Sequence, residues 1–512
     1  MRLYAFVFLL LFSFAAAGQD PVIDAIVKEA SENSQLERLA HELFDGIGPR
    51  LVGTPQMQQA HDWAIKKYAD WGITARNEKW GEWKGWERGV SHIDMIYPRV
   101  KTLEAMQLAW SPSTNGKAVV GELVIIPDLD DSLAFQKWLP AVKGKFVMMS
   151  MPQPTGRPDY NWKEHGTPES FEKMKAQRTA LTEAWDKRIA KTGKTTRTLP
   201  AVLEKAGALG IVTSNWSRGF GVNKIFQART TKVPTIDVSL EDYGMLYRLQ
   251  ESGVKPRISV RTDSKDLGMV PTFNTIAEIK GSEKPDEYVM LSAHFDSWDG
   301  GTGATDNGTG TIMMMEALRI LKKVYPNPKR TILVGHWGSE EQGLNGSRAF
   351  VEDHPDIVNN LHMLFNQDNG TGRIREITGQ GFLHAYDYIQ RYLSKVPEKV
   401  RNGLTTTFPG IPSGGGSDNA SFTSVGAPGF GLNATSFSYF DYTWHTNRDT
   451  YDKVVFDDLR SNAILAAILV YQACEDPNKF PREKSFLPVD SKTGARANWP
   501  EPRKATRKGP VN

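Results

Sequence analysis

From residue 288 onward the chain repeatedly runs through a short apolar stretch and closes it on a histidine or an acid. Val289-Met290-Leu291 leads to His294 and Asp296, Thr331 to Val334 leads to the pair Glu340-Glu341, and Met363-Leu364-Phe365 leads to Asp368. Apolar runs this short read as buried strands. Helical patterns fall between them, at Thr309 to Val324 and at Gly346 to Asp353. Strand alternating with helix predicts an α/β fold, a sheet covered by helices on both faces. Open sheets of that kind place their ligands at the carboxyl ends of the strands, which is where these donors fall.

Imidazole and carboxylate are the donors that zinc accepts in compact, low-coordination sites. His294, Asp306, one of the pair Glu340-Glu341, Asp368 and His445 make five such donors, and one shared carboxylate would let them hold two ions. Asp296 follows His294 by two residues, on the same face of an extended chain. Its carboxylate can hold the far imidazole nitrogen and fix the tautomer; a purely structural His-Asp pair is the alternative. The glycine-crowded loop Gly300 to Gly308 lacks the spacing of a phosphate-binding loop or a dinucleotide fingerprint. Its glycines let the backbone fold around Asp306, whose two oxygens could bridge two ions or, alternatively, cap the next helix. Neighbouring residues of an extended chain point apart, so one of Glu340-Glu341 can ligate while the other faces a water. An exposed acidic pair is the bland reading there, and packing among aromatics is the bland reading for His445.

The rest of the sequence narrows the setting. A net charge of +3 over 512 residues gives no clustered basic field, so neither nucleic acid nor an acidic membrane is expected as a partner. The length implies two domains or more. Met1-Arg2, an apolar run from Leu3 to Phe14 and Ala15-Ala16-Ala17-Gly18 read as a cleaved secretory signal peptide, residues 1–18, and hence a secreted or periplasmic protein. The run falls short of the roughly 20 apolar residues a membrane span needs. A single cysteine, Cys474, rules out an intrachain disulfide and is expected to be a buried small apolar residue. Residues 19–100 open the larger domain with helical patterns, and 101–264 form a separate β-rich unit. The larger domain resumes over 265–476, and the Pro-, Lys- and Arg-rich tail 477–512 is expected to be loosely held.

The strings H-F-D at 294–296, G-A-T-D-N-G-T-G at 303–310, S-E-E-Q-G-L-N-G-S at 339–347, Q-D-N-G at 367–370 and H-T-N-R-D-T-Y-D-K-V at 445–454 resemble the di-zinc aminopeptidase and glutamate carboxypeptidase family. The resemblance covers most of the chain. It implies a mixed-sheet zinc exopeptidase domain with an inserted protease-associated (PA) domain over 101–264. It implies two Zn2+ ions, one on His294, Asp306 and Asp368, the other on Asp306, Glu341 and His445. Glu340 matches the general base, Asp296 the carboxylate behind the first histidine, and Asn307 a position that often follows a cis peptide bond. Ser413 to Asn419 matches a loop beside the substrate. The resemblance further implies a dipeptide or short-peptide substrate, a homodimer and a propeptide near the start of the mature chain. The donor of a hydrogen bond to the oxyanion has no clear match, with Tyr439 and Tyr442 as candidates. Two competing readings are a zinc glutaminyl cyclase-like acyltransferase and a non-catalytic receptor-like relative.

Overall fold

The computed structural model describes residues 20–489 and 494–509, so the segment 1–18, expected to be a signal peptide, lies outside the described residues. Four parallel strands form the centre of the larger domain: Lys284–His294, Arg330–Trp337, Leu361–Asn366 and Gly429–Ala434. Their side chains alternate between two apolar layers, as the two-residue period of a strand requires. Val289, Leu291, Ile332, Val334, Met363 and Phe365 pack into one layer with the helices Thr309–Val324 and Phe456–Glu475. Met290, Leu333 and Leu364 point the other way, onto Phe350 and Phe422 of the helices Asn345–Asp353 and Asn419–Ser424. The expected sheet with helices on both faces is present, and antiparallel edges make it mixed. Cys474 is fully buried in the Phe456–Glu475 helix, as its apolar reading anticipated.

Two strands missing from the sequence reading organise everything else. Thr74–Tyr97 and Arg257–Ile279 run antiparallel to one another over nearly their whole length. The far half of Arg257–Ile279 pairs with Arg330–Trp337 in the larger domain, and its near half pairs with Val119–Ile125. From there the sheet continues through Lys145–Met148, Gly210–Thr213 and Thr235–Val238, all parallel to Val119–Ile125. A second hydrophobic core forms around these strands from residues between Ile93 and Val260. One pair of strands therefore carries both units, and the boundary expected near Ser264 falls inside a continuous strand. Trp80, Trp83, Trp86, Trp110 and Trp298 fill the junction. Large aromatic surfaces contribute heavily to burial energy.

The tail departs from expectation. Phe480 belongs to the main core, and Trp499 packs edge-on against Phe382 at 5.2 Å. Lys508 and Gly509 add a short parallel strand beside Glu82 and Trp83. Gly81 has no room for a side chain, because a Cβ there would stand 2.4 Å from the Arg507 carbonyl oxygen. Composition suggested a solvated extension, but a few well-spaced apolar anchors and two Arg507 ion pairs, to Glu352 and Asp353, hold it down.

Two buried histidines beneath the sheet make stability depend on pH. His61 bonds the Thr275 hydroxyl at 2.7 Å, and His336 bonds the Tyr68 hydroxyl at 2.7 Å. Burial pulls each imidazole down to about 3. In the unfolded chain an imidazole titrates at about 6.5. Above that pH both states are neutral and the pair has no effect; below it only the unfolded chain takes up protons, so stability falls continuously from pH ~6.5 towards ~3. The loss at pH 5 should be on the order of 4 kcal/mol for the two together. Denaturant midpoints measured from pH 7 to pH 5 should show this slope, and His61→Asn should flatten part of it. A midpoint independent of pH in the parent protein contradicts the assignment.

Candidate metal centre

Because the central strands are parallel, their carboxyl ends share one edge. His294 ends its strand opposite Trp337, and Ser292 lies opposite Asn366. Glu340 and Asp368 each follow their strand by two or three residues. The chain then brings Asp306 in from the loop that precedes the Thr309–Val324 helix, and His445 from the long loop after Gly429–Ala434.

Asp306 sits between two groups of donors. Its Oδ1 lies 3.5 Å from Nε2 of His294, which is itself 3.0 Å from Oδ1 of Asp368. Its Oδ2 lies 3.5 Å from Nε2 of His445, which is 2.8 Å from Oε2 of Glu341. His294, Asp306 and Asp368 form one group within reach of a single ion, and Asp306, Glu341 and His445 form a second. The helix that follows is preceded by Gly308 with no side-chain cap, so the alternative use of Asp306 as a helix cap does not arise. The Asp306–Asn307 peptide bond is cis.

The donors fit a divalent cation. Asp306 Oδ2 and Glu341 Oε1 are buried without a hydrogen-bond partner among the described residues. An unsatisfied buried oxygen costs about 1–3 kcal/mol, more when charged, unless something else compensates it. Burial pushes Glu340 and Glu341 well above the usual carboxylate range, and neighbouring carboxylates add to the effect. Acids packed this tightly call for positive charge between them.

The His294 tautomer follows from its neighbours. Nδ1 lies 2.9 Å from the main-chain oxygen of Asp296, which can only accept, so Nδ1 carries the proton and Nε2 offers its lone pair to Asp306 and Asp368. The Asp296 carboxylate stands behind that ring, its Oδ1 3.7 Å from Nδ1. It also accepts the main-chain N–H groups of Glu340, at 2.9 Å, and Glu341, at 3.3 Å. Glu340 and Glu341 also lie in a turn and not in extended chain, entered through Ser339 at φ 64°. The turn nonetheless separates them: Glu341 joins Asp306 and His445, while Glu340 stands outside both groups on the wall of a cavity of about 530 Å³.

Several residues that support the site escaped the sequence reading. Asp449 accepts N–H and O–H of Thr305, both at 2.8 Å, and N–H of Asp306 at 3.0 Å, which holds the shared carboxylate in place. Arg50, fully buried, donates to the main-chain oxygens of Phe295, Gly48, Thr302 and Gly303 and so ties the loop after His294 to the loop before Asp306. Gly303 allows that approach at φ +61°, where a Cβ would collide with Ser297. Asp449 lay four residues beyond His445 in a string already singled out; only its partners 144 residues away reveal its task.

The smaller unit also reaches the site. Ile225 N–H bonds the His445 carbonyl oxygen at 2.8 Å, and the Lys224 ammonium lies 4.1 Å from the centre of the Trp444 ring, which stacks on His445 at 3.9 Å. Of the two tyrosine candidates, Tyr439 lines the cavity that holds Glu340, whereas the Tyr442 hydroxyl pairs with that of Tyr160 at 3.1 Å. Phe440 and Trp444 line the same cavity, while Phe437 lines another.

Parallel strands converge here on paired histidine and carboxylate groups, residues 274–470 match the model of Peptidase family M28, and the chain is a zinc peptidase. Along its length the chain is similar to Carboxypeptidase Q from Homo sapiens, with 26% identity over 464 residues, covering 90% of this chain and 89% of that protein. The fold matches the crystal structure of a peptidase M28 precursor from Shewanella amazonensis with a TM-score of 0.66, at 24% identity over 90% of this chain and 98% of the other. It also matches a zinc aminopeptidase from Bacillus subtilis with a TM-score of 0.56, at 17% identity over 90% and 97%.

Proposed function

We propose that this chain is a secreted or periplasmic di-zinc exopeptidase that hydrolyses dipeptides or short peptides. The observation that carries the proposal is Asp306, whose two oxygens face two separate donor groups. His294 and Asp368 would complete one zinc site, and Glu341 and His445 the other. Two zinc ions held there would supply Lewis acidity at the scissile carbonyl and lower the pKa of the attacking water. Glu340, beside them on the cavity wall, takes a proton from that water and returns it to the departing amine. Asp296 serves the reaction indirectly, fixing the main chain of both glutamates. Tyr439, whose hydroxyl lies beside the Asp306 carboxylate, is placed to donate to the oxygen that becomes anionic. The cavity of about 530 Å³ suits a dipeptide or a short peptide end. The unit over 101–264 is proposed to be a PA domain, with a homodimer and a propeptide as further features of this reading.

Metal analysis together with a substrate panel tests the proposal. The purified protein should hold about two zinc ions per chain and cleave free dipeptides. N-blocked dipeptides should be poor substrates. Two bound zinc ions with no cleavage of any peptide would overturn the peptidase reading, and efficient cleavage of N-blocked peptides would overturn the dipeptidase form of it.

A further inference from the structure

The cavity that holds Glu340 has an unexpected second wall. Arg348, on the helix Asn345–Asp353, and Arg503, from the tail, both line it. The tail is anchored to bring Arg503 there: Ala505 N–H bonds Glu352 at 2.9 Å and Thr506 N–H bonds the Asn345 side chain at 2.9 Å, both on the helix that carries Arg348. Upstream, Pro500 abuts Gly414 of the glycine-rich loop, whose Gly415 and Gly416 also line the cavity. Neither guanidinium has a hydrogen bond or ion pair among the described residues, while many of the other arginines do.

The remaining ionisable groups on the wall are Asp306, Glu340, Glu341, Asp368, His445 and Tyr439. Among the described residues, these two arginines are the only arginine or lysine side chains that line the cavity. They are also close enough to repel, since burial and then the Arg503 charge lower the pKa of Arg348. Two guanidiniums on the wall of one cavity, with no hydrogen bond or ion pair among the described residues, are stabilised by an anion, and their planar forks suit a carboxylate.

We infer that Arg348 and Arg503 bind the free α-carboxylate of the substrate, so that the enzyme recognises the carboxyl terminus of a dipeptide or short peptide. This rests on the peptidase reading but is separable from it. The closing of the tail over the cavity then becomes part of substrate recognition, because Arg503 reaches the site only when residues 499–509 are docked.

Binding of alanyl-leucine and of its C-terminal amide is measured by calorimetry on zinc-loaded Glu340→Ala protein, which removes turnover. The free acid should bind about 10- to 100-fold more tightly than the amide, the worth of charged hydrogen bonds to one carboxylate. Arg348→Ala and Arg503→Ala should each remove most of that preference and leave the affinity for the amide unchanged. Arg348→Lys should retain part of it. Arg229→Ala serves as a control, because Arg229 lines a neighbouring cavity of about 850 Å³, and it should keep the full preference. Equal affinity for acid and amide in the parent, or a preference that survives both alanine variants, overturns the arginine assignment while peptide hydrolysis by the Glu340-containing enzyme still stands. Failure of both peptides to bind overturns it as well.

Discussion

Glu340→Gln should lower kcat for dipeptide hydrolysis by about 10²- to 10⁴-fold, the range a general base contributes, while leaving zinc content and KM nearly unchanged. The reason lies in where Glu340 stands. It belongs to neither donor group, yet it lines the same cavity as Asp306, Glu341 and Asp368. Glutamine keeps its shape and removes its basicity, so the change isolates proton transfer from metal binding. The N–H groups that Asp296 accepts are main-chain groups and survive the substitution. A Glu340→Gln enzyme with unchanged kcat would assign the base elsewhere. Loss of zinc in parallel with activity would instead make Glu340 a ligand.

Asp306→Ala is expected to empty the site altogether. Each group has three donors, and Asp306 is the one they share, so its loss leaves two donors on each side. The fall in zinc affinity should exceed the roughly 10- to 100-fold that loss of an outer hydrogen-bonding partner costs. Asp368→Ala removes a donor from the His294 group alone. After dialysis, metal analysis should therefore give about two zinc ions per chain in the parent, about one in Asp368→Ala and about none in Asp306→Ala. Thermal unfolding of the metal-free proteins controls for damage to the fold. Two tightly held ions in Asp306→Ala would end the shared-carboxylate interpretation.

The candidate donors were legible because a metal site restricts residue type so severely. His294, Asp306, Glu341, Asp368 and His445 each stand out as polar groups at the end of a buried run or inside a glycine-rich or aromatic loop, and the structure gathers all five. The Asp296 contact was legible in residue type but not in geometry. A carboxylate two residues from an imidazole can reach either the ring or a neighbouring loop, and here the Glu340-Glu341 turn competes for it at hydrogen-bonding distance while the main-chain oxygen takes the ring. The Thr74–Tyr97 strand was hidden because it is half exposed and rich in charge, so its apolar period is broken, and its partner residues lie 160 to 204 positions further along the chain.

The tail shows the same division. Its composition describes how residues 477–512 would behave in water, and nothing local reveals that Phe480 and Trp499 meet Phe382 across the chain. By itself the sequence determined the α/β class and the donor set, because strand period and ligand chemistry are properties of a few neighbouring residues. Only the tertiary structure decided that Asp449 and Arg50 hold Asp306 in its loop, that the smaller unit braces His445, and that Arg348 and Arg503 share a cavity with Glu340. Those contacts join segments more than a hundred residues apart, and their partners are set by how the sheet and its loops pack, which no local pattern encodes.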